Sequence, residues 1–395
     1  MNDRGKTVLK FFVSFAAAFL AFNVFSSSLI RINFPSADFK FSPGSDTQEV
    51  ASPYEGQRPK NIIVFIADGM GFSHLSLGLL TQHAEDTTAS VWREFDVRGW
   101  HDARCAYGPL TDSGASATAM ACGTSTNNGV IGQDPDGNKL TNVFELAAAQ
   151  QFATGIVTDS YFWDATPAAF IAHAQSRDDA RDIMRQIASS ELDLIFGELE
   201  DVGEDDVPSK EETLVLLRQR FQLLDETLSV PSGPNSKPIA AIFAEDQVQD
   251  LNSSPSLPQM TNAALKYLSS LDKPFVLMVE SEEMASASHK NDSRRVLKGL
   301  KAIEETVSLI LEFSKQDSET LVLFTSDHEC GGLAAVSDRN YPKMQIRWAS
   351  SEHTAAVVPL LATGPGAERF SDVERNWQIG KRLKELVSPS NAEGN

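Results

Sequence analysis

The chain carries five runs of uninterrupted apolar residues, each about the length of one β-strand. They cover residues 61–67, the surroundings of Ile156 and Val157, and residues 274–279, 320–325 and 357–362. A strand with one face in water would alternate apolar and polar positions, and these runs do not. They therefore predict strands that are buried on both faces, which is typical of a parallel sheet covered by helices.

Helical periodicity separates these runs. Residues 142–151 show it, and residues 292–314 form a long amphipathic pattern with Asn291 or Asp292 available as N-cap. Strands that alternate with helices predict an α/β fold with a mostly parallel central sheet and helices on both faces. Residues 200–262 are acidic, then helical, then rich in Pro, Ser and Asn, and we interpret them as an inserted cap segment.

The N-terminal region has the pattern of a segment that directs export. A basic start is followed by residues 11–30, which contain no charge. This predicts a signal sequence or an uncleaved signal anchor over residues 1–31, and a periplasmic or extracellular location with possible anchoring to a membrane. Residues 32–58 are interpreted as a polar linker, residues 59–389 as the catalytic domain, and residues 390–395 as a tail.

Charge and cysteine content exclude some classes of function. With 34 Lys and Arg against 54 Asp and Glu, the formal charge is −20, so nucleic acid is not expected as a stable partner. A substrate that carries phosphate would need positive charge concentrated in its site, and metal ions supply it. Three cysteines cannot build a four-thiolate zinc site. Cys105 and Cys122 could form a disulfide, or all three cysteines could be buried free thiols.

Polar residues of the types that bind metals follow the apolar runs. Asp68 follows the first run, Glu280 the third, and Asp327 and His328 the fourth, while His353 precedes the last. Sites in open α/β sheets assemble at the carboxyl ends of the strands. Carboxylates and imidazoles are the ligands of magnesium and zinc, so the pattern predicts a metal site at this edge.

The candidate nucleophile lies in a segment of small residues, Leu110-Thr-Asp-Ser-Gly-Ala-Ser-Ala-Thr-Ala-Met-Ala-Cys-Gly123. If a helix begins near Asp112 and Ser113, its free N–H groups and dipole would face an incoming phosphate. A serine bound to a metal at that point can ionise and attack phosphorus. The small residues also predict close packing of this helix on the sheet.

Seven motifs in this order resemble the alkaline phosphatase family, over about residues 59–387. They are Asp68-Gly-Met-Gly71, Thr111-Asp-Ser-Gly-Ala-Ser-Ala-Thr118, Asp164-Ala-Thr-Pro-Ala-Ala169, His173 with Arg177, Glu280 with His289, Thr325-Ser-Asp-His328, and His353-Thr354. The resemblance implies hydrolysis of small phosphate monoesters through a phosphoserine intermediate, and a homodimer.

The resemblance also implies a role for each site residue. Ser113 would be the nucleophile, and Arg177 would bind two phosphate oxygens. Two zinc ions and one magnesium ion would be held by three sets of ligands: Asp68, Asp327 and His328 together with Ser113; His289 and His353; and Asp68, Thr166 and Glu280. Asp164 would lie near the magnesium ion.

One position departs from the family pattern. The second zinc site normally includes an aspartate between the positions of Glu280 and His289, and Ala285 stands there. Glu282, Glu283 or Cys330 could replace it, or else the second zinc would be bound weakly. Three functions are therefore weighed: a phosphomonoesterase, a related phosphodiesterase or sulfatase, or, because of Ala285, a tethered pseudoenzyme that binds phosphate or metal. No Cys-x-Pro-x-Arg sulfatase signature is present.

Overall fold

A computed structural model describes residues 56–84, 90–199, 208–233, 237–248, 254–337 and 343–389. The predicted signal sequence or anchor, almost all of the predicted linker and the tail lie outside these residues. Within these ranges, no helix combines the length and apolar character that crossing a membrane requires.

A nine-stranded sheet forms the centre of the fold, in the order β2-β13-β8-β1-β7-β3-β4-β6-β5. Every pairing from β8 to β5 is parallel, while β13 runs antiparallel to both β8 and β2. The strands are β1 (Asn61–Ala67), β2 (Val97–His101), β3 (Ala153–Tyr161), β4 (Leu194–Leu199), β5 (Gln222–Leu223), β6 (Ile239–Ala244), β7 (Phe275–Ser281), β8 (Thr320–Thr325) and β13 (Val358–Thr363). The predicted α/β class is confirmed.

Helices cover both faces of this sheet, because every central strand is apolar on both sides. In β1, Ile62, Val64 and Ile66 pack on one face, whereas Ile63 and Phe65 pack on the other. The helices are α1 (Phe72–Ala84), α2 (Ser113–Cys122), α3 (Val143–Ala149), α4 (Ala165–Ala169), α5 (Ala180–Ser189), α6 (Lys210–Arg218), α7 (Leu257–Ser270), α8 (Glu283–His289), α9 (Ser293–Asp317) and α10 (Asn376–Val387). The first face carries α2–α6 and α10, and the second carries α1 and α7–α9.

The segment that connects β8 to β13 in the sequence forms two short antiparallel ribbons. One pairs β10 (Ala334–Ser337) with β11 (Met344–Arg347). The other pairs β9 (Glu329–Cys330) with β12 (His353–Thr354), so that His353 stands opposite Cys330. The second ribbon therefore brings the segment after β8 next to the segment before β13.

Part of residues 200–262 differs from the cap interpretation. The apolar run of β6 pairs in parallel with β4, and β5 pairs with β6, so this part of the segment extends the central sheet. The sequence does not predict the strand β6 because Pro, Ser and Asn surround its apolar run, and these residues are typical of loops. Residues 200–207, 234–236 and 249–253 lie outside the described residues.

Candidate active site

Several segments meet at the carboxyl edge of the sheet, around the imidazole of His328. Its Nε2 atom lies 3.3 Å from Ser113 Oγ, at the start of α2. The same nitrogen lies 3.3 Å from Asp327 Oδ2 and 3.4 Å from Asp68 Oδ1. The structure thus brings a hydroxyl, two carboxylates and an imidazole to one point, as the sequence predicted.

Local geometry presents Ser113 at the first turn of α2. Asp112 is the N-cap, with extended backbone angles, and its Oδ1 accepts a hydrogen bond of 2.9 Å from the Ala115 N–H. This bond satisfies one of the N–H groups that a helix leaves free at its start. The helix dipole is positive at this end, so the Ser113 hydroxyl lies where an anion is stabilised.

The carboxyl groups around His328 are buried, and burial dominates their pKa values. Burial raises the pKa of Asp68 well above its ordinary value, and the nearby Asp327 and Glu280 add to the rise. Burial also raises the pKa of Asp327 to about 7 and holds the pKa of His328 well below its usual range. Among the described residues, the neighbours of Asp68 Oδ1 and Asp327 Oδ2 are the His328 imidazole and, for Asp327, the Ser113 hydroxyl. Such a set of ligand atoms fits a divalent cation.

A second group of ligand atoms lies beside the first. His289, Cys330 and His353 offer two imidazole nitrogens and a thiol sulfur within 4.8 Å of one another. The His289 Nδ1 donates to the Ser351 carbonyl at 2.7 Å, and the His353 Nδ1 donates to the Thr111 carbonyl at 2.8 Å. Each neutral ring therefore has a lone pair on Nε2.

These two Nε2 atoms face each other at 3.2 Å. Two lone pairs at that distance repel unless a proton or a metal ion intervenes. Tetrahedral zinc, with zinc–nitrogen bonds of about 2.0–2.1 Å, holds two such nitrogens about 3.3–3.4 Å apart. The pair of histidines therefore fits zinc.

Hard oxygen ligands form a third group on the other side of Asp68. Glu280 is buried in β7, and its Oε2 accepts a hydrogen bond of 2.5 Å from the Thr158 hydroxyl. Burial raises the pKa of Glu280 well above its ordinary value, and the charge of Asp164 adds to the rise. The buried Thr166 hydroxyl also faces Glu280, and its hydrogen bonding to that carboxylate opposes the rise in pKa. Carboxylates and a hydroxyl suit magnesium.

Arg177 is held beside the nucleophile by two carboxylates. Its Nη1 donates to Asp112 Oδ2 at 3.3 Å, and its Nη2 donates to Asp164 Oδ1 at 2.9 Å. The sequence predicted Arg177 as a phosphate ligand and Asp164 as a neighbour of magnesium, but it did not reveal that Asp112 positions Arg177. The one available signal was that Asp112 directly precedes Ser113.

The three cysteines are free and buried, so Cys105 and Cys122 are not joined in this structure. The Cys105 thiol lies 3.7 Å from the Gly108 carbonyl. Among the described residues, Cys330 belongs to the group of possible metal ligands that includes His289 and His353, whereas Cys105 and Cys122 belong to neither group.

Comparison with known proteins finds relatives that belong to one enzyme family. The model of the family described as alkaline phosphatase matches residues 59–207 and 228–341. Alkaline phosphatase 3 of Bacillus subtilis (strain 168) is 30% identical over 302 residues, which cover 71% of this chain and 63% of that protein. Streptomycin-6-phosphate phosphatase of Streptomyces griseus is 25% identical over 410 residues, which cover 83% and 91%.

Solved structures show the same fold. The alkaline phosphatase from the Antarctic bacterium TAB5 superposes with a TM-score of 0.74 at 25% identity, covering 84% of this chain and 99% of that one. The Thermus thermophilus alkaline phosphatase superposes with a TM-score of 0.72 at 20% identity, covering 85% and 92%. The chain spans slightly less than two thirds of the Bacillus subtilis alkaline phosphatases 3 and 4.

Proposed function

Because the chain belongs to the alkaline phosphatase family, we propose that it hydrolyses phosphate monoesters. The position of the Ser113 hydroxyl carries the proposal. It stands at the first turn of a buried helix, 3.3 Å from His328 Nε2 and next to the carboxylate that holds Arg177. A nucleophile, a fixed guanidinium and a cation site are the parts that phosphoryl transfer requires.

Three sets of residues would hold two zinc ions and one magnesium ion. The sets are Asp68, Asp327 and His328 with Ser113 as a further ligand; His289 and His353; and Asp68, Thr166 and Glu280. When bound, these ions would neutralise the buried carboxylates and favour ionisation of the serine hydroxyl and of a water molecule. A solved variant of the TAB5 enzyme is described as having Mg bound in its M3 site, which supports a magnesium ion in a protein of this fold.

The residues of the chain then account for two successive displacements. Ser113 Oγ forms a bond to phosphorus while the bond from phosphorus to the leaving oxygen breaks, which gives phosphoserine. Water attacks the same phosphorus and releases phosphate, which restores the Ser113 hydroxyl. The guanidinium of Arg177 binds two phosphate oxygens throughout, and the positive end of α2 stabilises their charge.

Arg177 also supports a monoester rather than a diester, and the absence of a Cys-x-Pro-x-Arg signature counts against a sulfatase. A guanidinium has five N–H donors, of which the bonds to Asp112 and Asp164 use two. The remaining donors could bind two terminal oxygens of a monoester dianion, whereas a diester has fewer charged oxygens to offer. Hydrolysis of p-nitrophenyl phosphate, bis-p-nitrophenyl phosphate and p-nitrophenyl sulfate, each with added zinc and magnesium, compares the three substrate classes directly.

The nucleophile is tested with Ser113→Ala and the matched control Ser189→Ala, an exposed position on α5. We expect Ser113→Ala to lose at least about 99% of turnover because the covalent route is removed. The control should keep wild-type activity. Acid quenching during turnover, followed by peptide mass spectrometry, should find phosphate on Ser113 in the wild type. Substantial activity in Ser113→Ala would remove Ser113 as the nucleophile, and no activity in wild type would favour a pseudoenzyme.

We propose export for this chain as well. The basic start and the uncharged stretch of residues 11–30 support it, and fractionation of cells that express the full chain would test it. Periplasmic or extracellular location and a homodimer both stay predictions, the latter to be tested by sedimentation.

A further inference from the structure

We propose that the thiolate of Cys330 is the third protein ligand of the second metal site, together with His289 and His353. It takes the place of the acid that is missing at Ala285. The inference deepens the proposed function and rests on it in one respect, namely that zinc binds at the two histidines. It gives this chain a His-His-Cys site where its relatives are expected to have an aspartate.

The backbone directs the Cys330 side chain toward the histidines. Cys330 in β9 stands opposite His353 in β12, and residues directly opposite each other in an antiparallel pair have their side chains on the same side. The Cys330 N–H also donates to the Gly69 carbonyl at 3.0 Å, which fixes the strand against the loop after β1. The sulfur and the ring nitrogens consequently lie within 4.8 Å of one another.

Cys330 and Ala285, the position of the missing acid, both lie against Gly69. A Cβ atom built on Gly69 would lie 2.9 Å from the Ala285 Cβ and 3.2 Å from the Cys330 Cβ. The two side chains therefore approach one point from two segments, α8 and β9. A ligand lost from one segment can be replaced from the other without moving the histidines.

The two other candidates from the sequence, Glu282 and Glu283, lie outside the group of ligand atoms formed by His289, Cys330 and His353. Glu283 forms an ion pair with Arg295, whose Nε donates to Glu283 Oε1 at 2.7 Å. The Glu282 N–H donates to Asp159 Oδ1 at 2.6 Å, and the charges that raise the pKa of Glu282, after burial, come first from Asp164 and Asp159. Glu282 thus belongs to the side of the site where magnesium is proposed.

The chemistry of this ligand set favours zinc. Thiolate and imidazole are the ligands that zinc prefers, whereas magnesium prefers oxygen. Three protein ligands also leave a fourth tetrahedral position open, as catalytic zinc sites require. When the metal–sulfur bond forms, the thiol proton passes to solvent, and no electron is transferred.

Cobalt substitution of the full-length protein tests the ligand directly. A cobalt–thiolate bond gives a charge-transfer absorption in the near ultraviolet, whereas cobalt bound by nitrogen and oxygen alone does not. We expect the band in wild type and in the matched control Cys105→Ser, and its loss in Cys330→Ser. A band that persists in Cys330→Ser, or its absence from wild type, would overturn the proposal.

Zinc titration followed by metal analysis tests the site in a second way. Cys330→Ser should weaken binding of one zinc ion by at least about tenfold and leave the other unchanged, because a direct ligand matters at least as much as an outer partner. Adding Ala285→Asp to Cys330→Ser should restore zinc binding without restoring the cobalt band. Equal zinc affinity in wild type and Cys330→Ser would count against the thiolate.

One measurement needs no variant, so it holds even if Cys330→Ser fails to fold. X-ray absorption of the zinc-loaded wild type should show a sulfur neighbour at about 2.3 Å from zinc, and a spectrum with nitrogen and oxygen neighbours only would refute the inference. Phosphatase activity without a sulfur neighbour of zinc would refute Cys330 as a ligand and leave the proposed function intact. A sulfur neighbour without phosphatase activity would support Cys330 as a ligand and refute the proposed function.

Discussion

At the scale of single residues, Arg177 shows how the site prepares for an anion. The guanidinium lies between Asp112 and Asp164, and their charges raise its pKa, so it stays protonated although it is largely surrounded by protein. The two carboxylates also fix the plane of the guanidinium before phosphate arrives. A preorganised donor loses little conformational entropy on binding.

Arg177→Lys and Arg177→Ala should therefore both weaken inhibition by inorganic phosphate by more than tenfold. A hydrogen bond to a charged group is worth about 1.5–3 kcal/mol, and lysine cannot reproduce the planar fork. The inhibition constant of phosphate is the quantity to measure, with the exposed Arg185→Ala on α5 as control. If Arg177→Lys bound phosphate as well as wild type, the planar fork would not be the recognition element.

Asp159 in β3 is a buried carboxyl, and no cationic side chain of the described residues pairs with it. Its oxygens accept hydrogen bonds from the Ser281 hydroxyl at 2.9 Å and the Glu282 N–H at 2.6 Å. Burial nevertheless raises the pKa of Asp159 to about 7. In an unfolded chain an aspartate titrates near pH 4, so the folded state binds the extra proton between about pH 4 and pH 7.

The stability contribution of Asp159 should fall as pH rises through that window, by at most about 1.4 kcal/mol per pH unit. Asp159→Asn keeps an acceptor for the Glu282 N–H and removes the charge. In urea unfolding of the metal-free protein, the free energy of unfolding of the variant should rise relative to that of wild type from pH 5 to pH 7. The difference should stay constant at higher pH. In the control variant Asp178→Asn, at an exposed position, the free energy of unfolding should equal that of wild type at each pH. A constant difference across this range would show that Asp159 does not titrate there.

At the scale of elements, the helix that carries Ser113 is positioned by close contact with α10. A Cβ atom built on Gly380 would lie 2.5 Å from the Gly123 N atom and 2.6 Å from the Ala119 and Met120 carbonyl oxygens. Only glycine allows the two helix backbones to approach this far. The small residues of α2 serve the same packing, which the sequence had indicated.

Gly380→Ala should push α10 away from α2 and destabilise the protein by about 1–3 kcal/mol, the usual cost of overpacking. Because α2 begins with Ser113, catalytic turnover should fall too. Gly299→Ala on α9 is the matched control: its added Cβ would meet ordinary contacts at 3.4 Å or more, and alanine favours helix by about 0.5–1 kcal/mol. Equal stability of the two variants would show that the α2–α10 contact is not tight.

The strands that bear the site could be predicted from sequence because they are apolar throughout. β1, β7 and β8 are buried along their whole length, and each ends beside a polar residue that could only be solvated or bind a ligand. The strands β4 and β6 gave no comparable signal. β6 in particular is surrounded by residues typical of loops, and its place in the sheet depends on pairing with β4.

The finer site could not be predicted because it depends on contacts between distant segments. Asp112 meets Arg177 across 65 positions of sequence, and only the fold shows that one carboxylate both caps α2 and holds the guanidinium. In the same way, sequence left three replacements open for the acid missing at Ala285. The crowding at Gly69 and the β9–β12 register favour Cys330 among them.

At the scale of the whole molecule, Arg58 connects the start of the described fold to its end. Its Nη1 donates to three carbonyls at the C-terminus of α10: those of Glu385 at 2.8 Å, Leu386 at 3.1 Å and Ser388 at 2.5 Å. Carbonyls in the last turn of a helix lack partners within the helix, and a cation there also opposes the helix dipole. Since α10 packs on α2, this contact supports the helix that carries Ser113.

A chain that begins at Gly56 should therefore fold and keep full phosphatase activity, because it retains Arg58 and the whole described sheet. The same chain with Arg58→Ala should lose about 1–2 kcal/mol of stability, in the range of a partly buried cation at a helix C-terminus, and should melt a few degrees lower. Arg58→Lys should recover part of the loss, since it keeps the charge but offers fewer donors. Thermal unfolding and p-nitrophenyl phosphate turnover of the three chains test this.

Two outcomes would contradict these expectations. Insolubility of the chain that begins at Gly56, with the full chain soluble, would show that the preceding segment is part of the fold. Equal melting temperatures of all three chains would show that Arg58 does not stabilise α10.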